Sequence, residues 1–100
     1  MEMSEVQIFK LIEKLTDDDY DVRKNVEDVL IKLDDQSISP LIKSLENQNP
    51  EIQIQSARML GKIGDKKAVN ALIESLNYGN PEFRREVSLS IKKIVEKNPE

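Results

Sequence analysis

The feature that most constrains this chain is an internal repeat. Asp19-Tyr20-Asp21-Val22-Arg23 returns thirty residues later as Asn49-Pro50-Glu51-Ile52-Gln53, and thirty-one residues after that as Asn80-Pro81-Glu82-Phe83-Arg84. Each element of the pattern suits a helix start. Asp or Asn at the N-cap accepts a hydrogen bond from an orphan backbone N–H. Pro50 and Pro81 fall at the first helical position, where a missing N–H is harmless. Asp21, Glu51 and Glu82 place negative charge beside the positive end of the helix dipole. Three helices are therefore predicted to begin near residues 20, 50 and 81.

The apolar positions inside these helices align as well. Val22, Ile52 and Phe83 correspond, as do Leu30, Leu60 and Ile91, then Leu33, Ile63 and Ile94. In the first helix the apolar set is Val22, Val26, Val29, Leu30 and Leu33, the spacing of one buried stripe. A second helix type lies between. Ile8, Leu11, Ile12 and Leu15 match Ile38, Leu41, Ile42 and Leu45, and these match Val69, Leu72, Ile73 and Leu76. Six helices are expected, at about 4–16, 20–33, 37–47, 50–63, 67–77 and 81–97. The short connections make neighbouring helices antiparallel. The period lengthens by one residue between Ile63 and Val69, so the insertion falls in the turn Gly64-Asp65-Lys66-Lys67. A turn absorbs an extra residue, whereas a helix would have its stripe rotated. Gly64 suits a left-handed C′ position and Asp65 a cap for the next helix, with Asp34 holding the Gly64 place less comfortably. Gly61 sits mid-helix, at about 1 kcal/mol relative to Ala, which implies a neighbouring helix passing close by.

The middle unit carries a family resemblance. Ile52-Gln53-x4-Arg58-Met59-Leu60-Gly61-Lys62-Ile63-Gly64-Asp65-x2-Ala68-Val69-x2-Leu72-Ile73-x2-Leu76 resembles a HEAT-like repeat, of the short kind found in phycobilin lyases and prokaryotic scaffold proteins. The outer units diverge: Asp34 and Val95 replace the usual Gly, and Gln53 the usual Arg. The resemblance implies an all-α, short right-handed α-solenoid of three stacked antiparallel helix pairs, with first helices outside and second helices inside. It covers one domain, residues 1–100, with units at about 4–33, 37–63 and 67–97.

Composition narrows the function. With no Cys and no His, Cys/His zinc sites and His-dependent nucleophile pairs are excluded within the chain. The metal-dependent hydroxylase activity of some HEAT-like proteins, which uses His-Glu pairs, is not transferable, and lyase activity has no supporting residues. No apolar run approaches the ~20 residues of a membrane span. The first residues, Met1-Glu2-Met3-Ser4-Glu5, are acidic and unlike a secretory signal, so the cytoplasm is the default expectation. A charged fraction of 34% against 38% hydrophobic points to a thin, elongated fold with much surface per residue. The run Asp17-Asp18-Asp19-x-Asp21 lacks the central Gly and terminal Glu of a calcium loop, and reads as an N-cap with first-turn acids.

Charge divides along the chain. Residues 1–50 hold twelve acids and six bases, residues 51–100 seven acids and nine bases. The overall balance of −4 argues against nucleic acid as a partner. The expected function is a protein-interaction or scaffold module with no catalytic residues, no metal and no cofactor. The alternative is a subunit or regulatory domain of an enzyme complex that binds a small ligand or cofactor. Helical phase nominates Lys10, Glu13, Lys43, Asn70 and Glu74 as partner contacts on the second helices. Phe9, Leu89 and Val95 are apolar where the middle unit is polar or glycine. They are either covered by the chain's own tails or bury against another copy or a partner.

Overall fold

The computed structural model describes residues 1–99 and is helical throughout, with no strand among them. The helices are α1 (Glu5–Glu13), α2 (Tyr20–Leu33), α3 (Asp35–Ser44), α4 (Pro50–Ile63), α5 (Val69–Ser75) and α6 (Pro81–Lys97). A 3₁₀ turn, Lys14–Thr16, extends α1, and another, Lys66–Ala68, leads into α5. The predicted caps are in place. Asp19 accepts from the N–H groups of Asp21 and Val22, Asn49 from Glu51 and Asn80 from Phe83. At the start of α1, Ser4 and Gln7 form a reciprocal capping box. Gly64 ends α4 at φ 77°, and Asp65 accepts from Lys67 N–H. Asp34 takes φ 47°, the one non-glycine at positive φ among the described residues. Its carbonyl accepts from Ser37 N–H, so α3 begins at Asp35 rather than at 37.

The helices pack as three hairpins, α1/α2, α3/α4 and α5/α6. The first hairpin rests on the second and the second on the third, as an α-solenoid requires. The expected elongation is absent: the extents are 30 × 29 × 22 Å and the radius of gyration is 12.6 Å. About 13 Å is usual for a compact domain of this length. Three units stacked side by side are simply as long as they are wide. The high charged fraction reflects thin layers, each with a solvated face.

One core runs through the stack, from Ile8, Ile12 and Leu15 through Leu30, Leu41, Leu45 and Leu60 to Phe83 and Ile94. Two residues of the proposed α2 stripe, Val22 and Val29, are instead exposed, each at 37%. Their counterparts Ile52 and Met59 are buried because α4 has a neighbour on both sides. The same edge effect acts at the other end. Leu15 and Leu45 are buried at 2% and 1%, but their counterpart Leu76 is 39% exposed, and Ile73 is 50% exposed where Ile12 is 1%.

The two joints between first helices differ. α4 and α6 make the most extensive helix pair. A Cβ at Gly61 would stand 2.5 Å from Ser90 Oγ and 2.9 Å from Ser90 Cα, so Gly61 is what lets α6 come so near. Ser90 Oγ donates to the Ala57 carbonyl at 2.6 Å. Beyond the end of α4, Lys97 Nζ donates to the Ile63 carbonyl (2.8 Å) and Asn98 to the Gly64 carbonyl (3.1 Å), satisfying carbonyls the helix leaves free. Between α2 and α4 the link is ionic: buried Glu27 accepts from Arg58 and from Lys62 Nζ at 2.9 Å. Burial by itself raises the Glu27 pKa, but the hydrogen bonds and charges of Lys62 and Arg58 outweigh it and hold the carboxyl below its usual value.

Candidate functional site

Between the second helices α3 and α5 lies a groove of about 390 Å³. Ile42 and Leu45 of α3 and its following turn form one wall, with Glu46 at the lip. Asn70, Ala71 and Glu74 of α5 form the other, and Tyr78 closes one end. Tyr78 is fixed from two sides. Its ring stacks on Phe83, with centroids 5.8 Å apart, and its hydroxyl lies 3.0 Å from Ser75 Oγ. The groove therefore has an apolar floor, a rigid aromatic end and two carboxylates at its mouth. Ala71 and the half-buried Ile42 face the groove, while Leu45 lies covered beneath them.

The nominated partner contacts divide among four places. Asn70 and Glu74 lie together in this groove. Lys43 is tied to Glu5 of α1 (3.1 Å to Oε2), bridging the first two hairpins on the exposed surface. Lys10 borders a separate shallow hollow of about 380 Å³ with Met3, Gln7, Leu11 and Lys14, at the N-terminal end of the stack. Glu13 is exposed at the end of α1. Of the three apolar end residues, Phe9 is half-buried and packs against the core, whereas Leu89 and Val95 are exposed at 42% and 55%. Leu89 and Val95 point roughly 120° apart around α6, at about 100° per residue, so they belong to different surfaces. The three acids before α2, with Asp21 in its first turn, act as helix-start chemistry. Asp19 caps the helix, Asp17 Oδ1 accepts from Asp19 N–H, and Arg23 donates back to the Asp17 and Asp18 carbonyls.

Sequence reasoning missed Glu46 and Tyr78. For Glu46 the signal was present: Ile42, Leu45 and Glu46 fall on one side of α3 and its turn, opposite Asn70 and Glu74 of α5. It also missed a hollow of about 610 Å³ walled by Met1, Met3, Val29, Leu33 and the stems of Asp28, Lys32 and Gln36. Gln36 builds that hollow by holding the N-terminal segment, accepting from Met3 N–H (2.8 Å) and donating to the Met1 carbonyl (2.9 Å). No spacing rule places such a tail. Among the described residues, no three acidic side chains gather closely enough to hold a metal ion, and no helix is long and apolar enough to cross a membrane.

No curated protein matches the sequence. The family model for HEAT repeats matches residues 8–92, from the first buried residue of α1 into the last turns of α6. With the caps, the repeated hairpins and that match together, the chain belongs to the HEAT-repeat family.

Proposed function

We propose that this protein is a non-catalytic protein-interaction module whose working surface is the α3–α5 groove. HEAT repeats commonly serve as protein-interaction scaffolds, and the second helices of a stack offer a continuous surface to a partner's helix or extended tail. The observation that carries the reading is the groove itself: Ile42 and Leu45 on its floor, Tyr78 at its end, Glu46 and Glu74 at its lip. An apolar side chain fits the floor, and a Lys or Arg beside it pairs with the two carboxylates. A partner segment with one basic and one apolar residue a turn apart satisfies both. The fold needs no disulfide, and the cytoplasm is its expected setting.

The test is site-specific crosslinking. A photoreactive residue at Asn70 captures partners from cell extract, first in the unchanged chain and then with Glu46→Lys and Glu74→Lys. The reading expects a discrete protein adduct that the charge reversal abolishes while helicity is retained. An adduct indifferent to both substitutions refutes it.

A second reading, a subunit that holds a small apolar ligand for an enzyme complex, is favoured by the hollow beneath Met1 and Met3. A dye-shift ligand screen separates the two. Stabilisation by a small molecule that is lost on Val29→Asp supports the second.

A further inference from the structure

The last hairpin leaves apolar positions open that the preceding hairpin has covered. In α4 one stripe runs through Gln53, Ala57, Leu60 and Gly64; Gln53 donates to the Leu45 carbonyl of its own hairpin, and the next unit closes the stretch from Ala57 to Gly64 through Ser90, Lys97 and Asn98. The equivalent stripe of α6 is Arg84, Ser88, Ile91 and Val95, and nothing among the described residues closes it: Val95 is 55% exposed and Ile91 is only half-buried, where Leu60 is 0%. Beside it on α5, Val69, Ile73 and Leu76 repeat the positions of Ile38, Ile42 and Leu45. Ile73 and Leu76 are open where Leu45 is covered. Where the molecule covers such a face itself, it does so with small residues: on α3, Ser37 Oγ donates to the Leu30 carbonyl of α2 and Pro40 lies beside Ile8 of α1, and in the turn before α5 the fully buried Ala68 lies in the segment that packs on α3.

Charge decides between occupants. Arg84 at the N-terminal end of the stripe donates to the Gly79 carbonyl (2.7 Å) on the exposed surface, and Lys92 beside it makes an exposed ion pair with Glu96 at 3.4 Å. Lys92 stands where α4 has Gly61, so another unit cannot approach α6 as closely as α6 approaches α4. A second copy stacked head to tail would bring Gln7, Lys10 and Lys14, the counterparts of Ala68, Ala71 and Ser75, onto that basic rim. A second copy joined end to end would set Arg84 and Lys92 against their own kind. Like charges juxtaposed in this way disfavour both arrangements.

We propose that the face formed by Ile73, Leu76, Ile91 and Val95 docks a partner's amphipathic helix that has small residues along its apolar stripe and acidic residues on its flanks. This surface is separate from the α3–α5 groove, so each can fail alone.

The probe is a helix-stapled peptide with the sequence of residues 66–78 carrying Lys66→Glu and Lys67→Glu, titrated into the labelled chain and followed by NMR. It keeps the small residues of α5 and adds acids. The expected result is shift changes at Ile73, Leu76, Ile91 and Val95, with affinity reduced about tenfold by Val95→Asp and, separately, by Arg84→Glu with Lys92→Glu. The substituted positions are exposed, and circular dichroism verifies that the variants stay folded. Equal binding of a peptide that retains Lys66 and Lys67 overturns the proposal. So does displacement of the peptide by a single-stranded oligonucleotide, or light scattering that shows a dimer of the chain dispersed by Val95→Asp.

Discussion

Gly61→Ala adds one methyl group and, on helix propensity alone, stabilises α4 by about 1 kcal/mol. Its surroundings reverse that sign. The new Cβ would lie 2.5 Å from Ser90 Oγ, 2.8 Å from Ser90 Cβ and 2.9 Å from Ser90 Cα. Carbon atoms in good contact sit roughly 3.5–4.0 Å apart, so α6 must retreat by several tenths of an ångström or more. Ser90 Cα is backbone, so no rotamer change relieves that clash. Overpacking of this kind costs ~1–3 kcal/mol. Retreat also strains the Ser90–Ala57 hydrogen bond, worth about 0.5–1.5 kcal/mol. Set against the propensity gain, the net loss is about 2 kcal/mol. For a domain of this size that lowers the melting temperature by about 10 °C. Thermal melts followed at 222 nm, with urea titration beside them, measure it. Ser90→Gly in the Gly61→Ala background removes the clashes with Oγ and Cβ and leaves the one with the backbone. It therefore restores part of the loss and gives a coupling of at least about 0.5 kcal/mol. A melting point unchanged or raised in Gly61→Ala refutes close α4–α6 packing at this position.

Leu60→Ala, at a side chain with no exposed surface, is expected to cost ~2–5 kcal/mol, read as a large fall in urea midpoint. Ser56 Oγ is buried with no hydrogen-bond partner among the described residues, and its counterparts are Val26 and Val87. Ser56→Ala is therefore expected to stabilise by about 1 kcal/mol in the same titration. Asp34 holds φ 47° and its side chain makes no cap bond, so Asp34→Gly relieves about 1 kcal/mol of strain, and the melting temperature rises by a few degrees. Glu27→Gln costs about 1–3 kcal/mol at neutral pH. Because the folded-state pKa of Glu27 is depressed, the wild-type advantage is complete above the unfolded carboxylate value of about 4.3 and vanishes as pH falls through the folded value. Urea titrations of both proteins from pH 7 to pH 2 test this: a gap that stays constant throughout removes the ion pair as its source.

Much of the fold was legible because the repeat states each local rule three times. Three N-caps at Asp19, Asn49 and Asn80, with Pro50 and Pro81 after two of them, fix where helices begin whatever surrounds them. The turn at Gly64 could be placed because an inserted residue cannot sit in a helix without rotating its stripe. Gly61 announced a close neighbour, but periodicity carries no information about which helix crosses, and only the packing identifies Ser90. Burial at the edges was less legible for the same reason. Val22 and Leu76 occupy core positions by spacing and surface positions by location, since coverage depends on the adjoining unit rather than on the residue's own helix. The candidate groove was half visible. Asn70 and Glu74 follow from phase, but Lys10 and Lys43 are drawn toward other surfaces, and Tyr78 enters through a turn whose path is set by stacking on Phe83.

The unlike joints along the stack give its two halves different mechanical characters. Where Ala57 and Gly61 meet Ser90, backbone touches backbone, and the third hairpin cannot slide without tearing a lattice of close approaches. Where Glu27 reaches Arg58 and Lys62, long side chains span the interval like tie-rods. Tie-rods can swivel, and a proton on Glu27 releases them. Acid thus acts on the first hairpin's seating and leaves the α4–α6 weld, and with it the Tyr78 end of the groove, undisturbed.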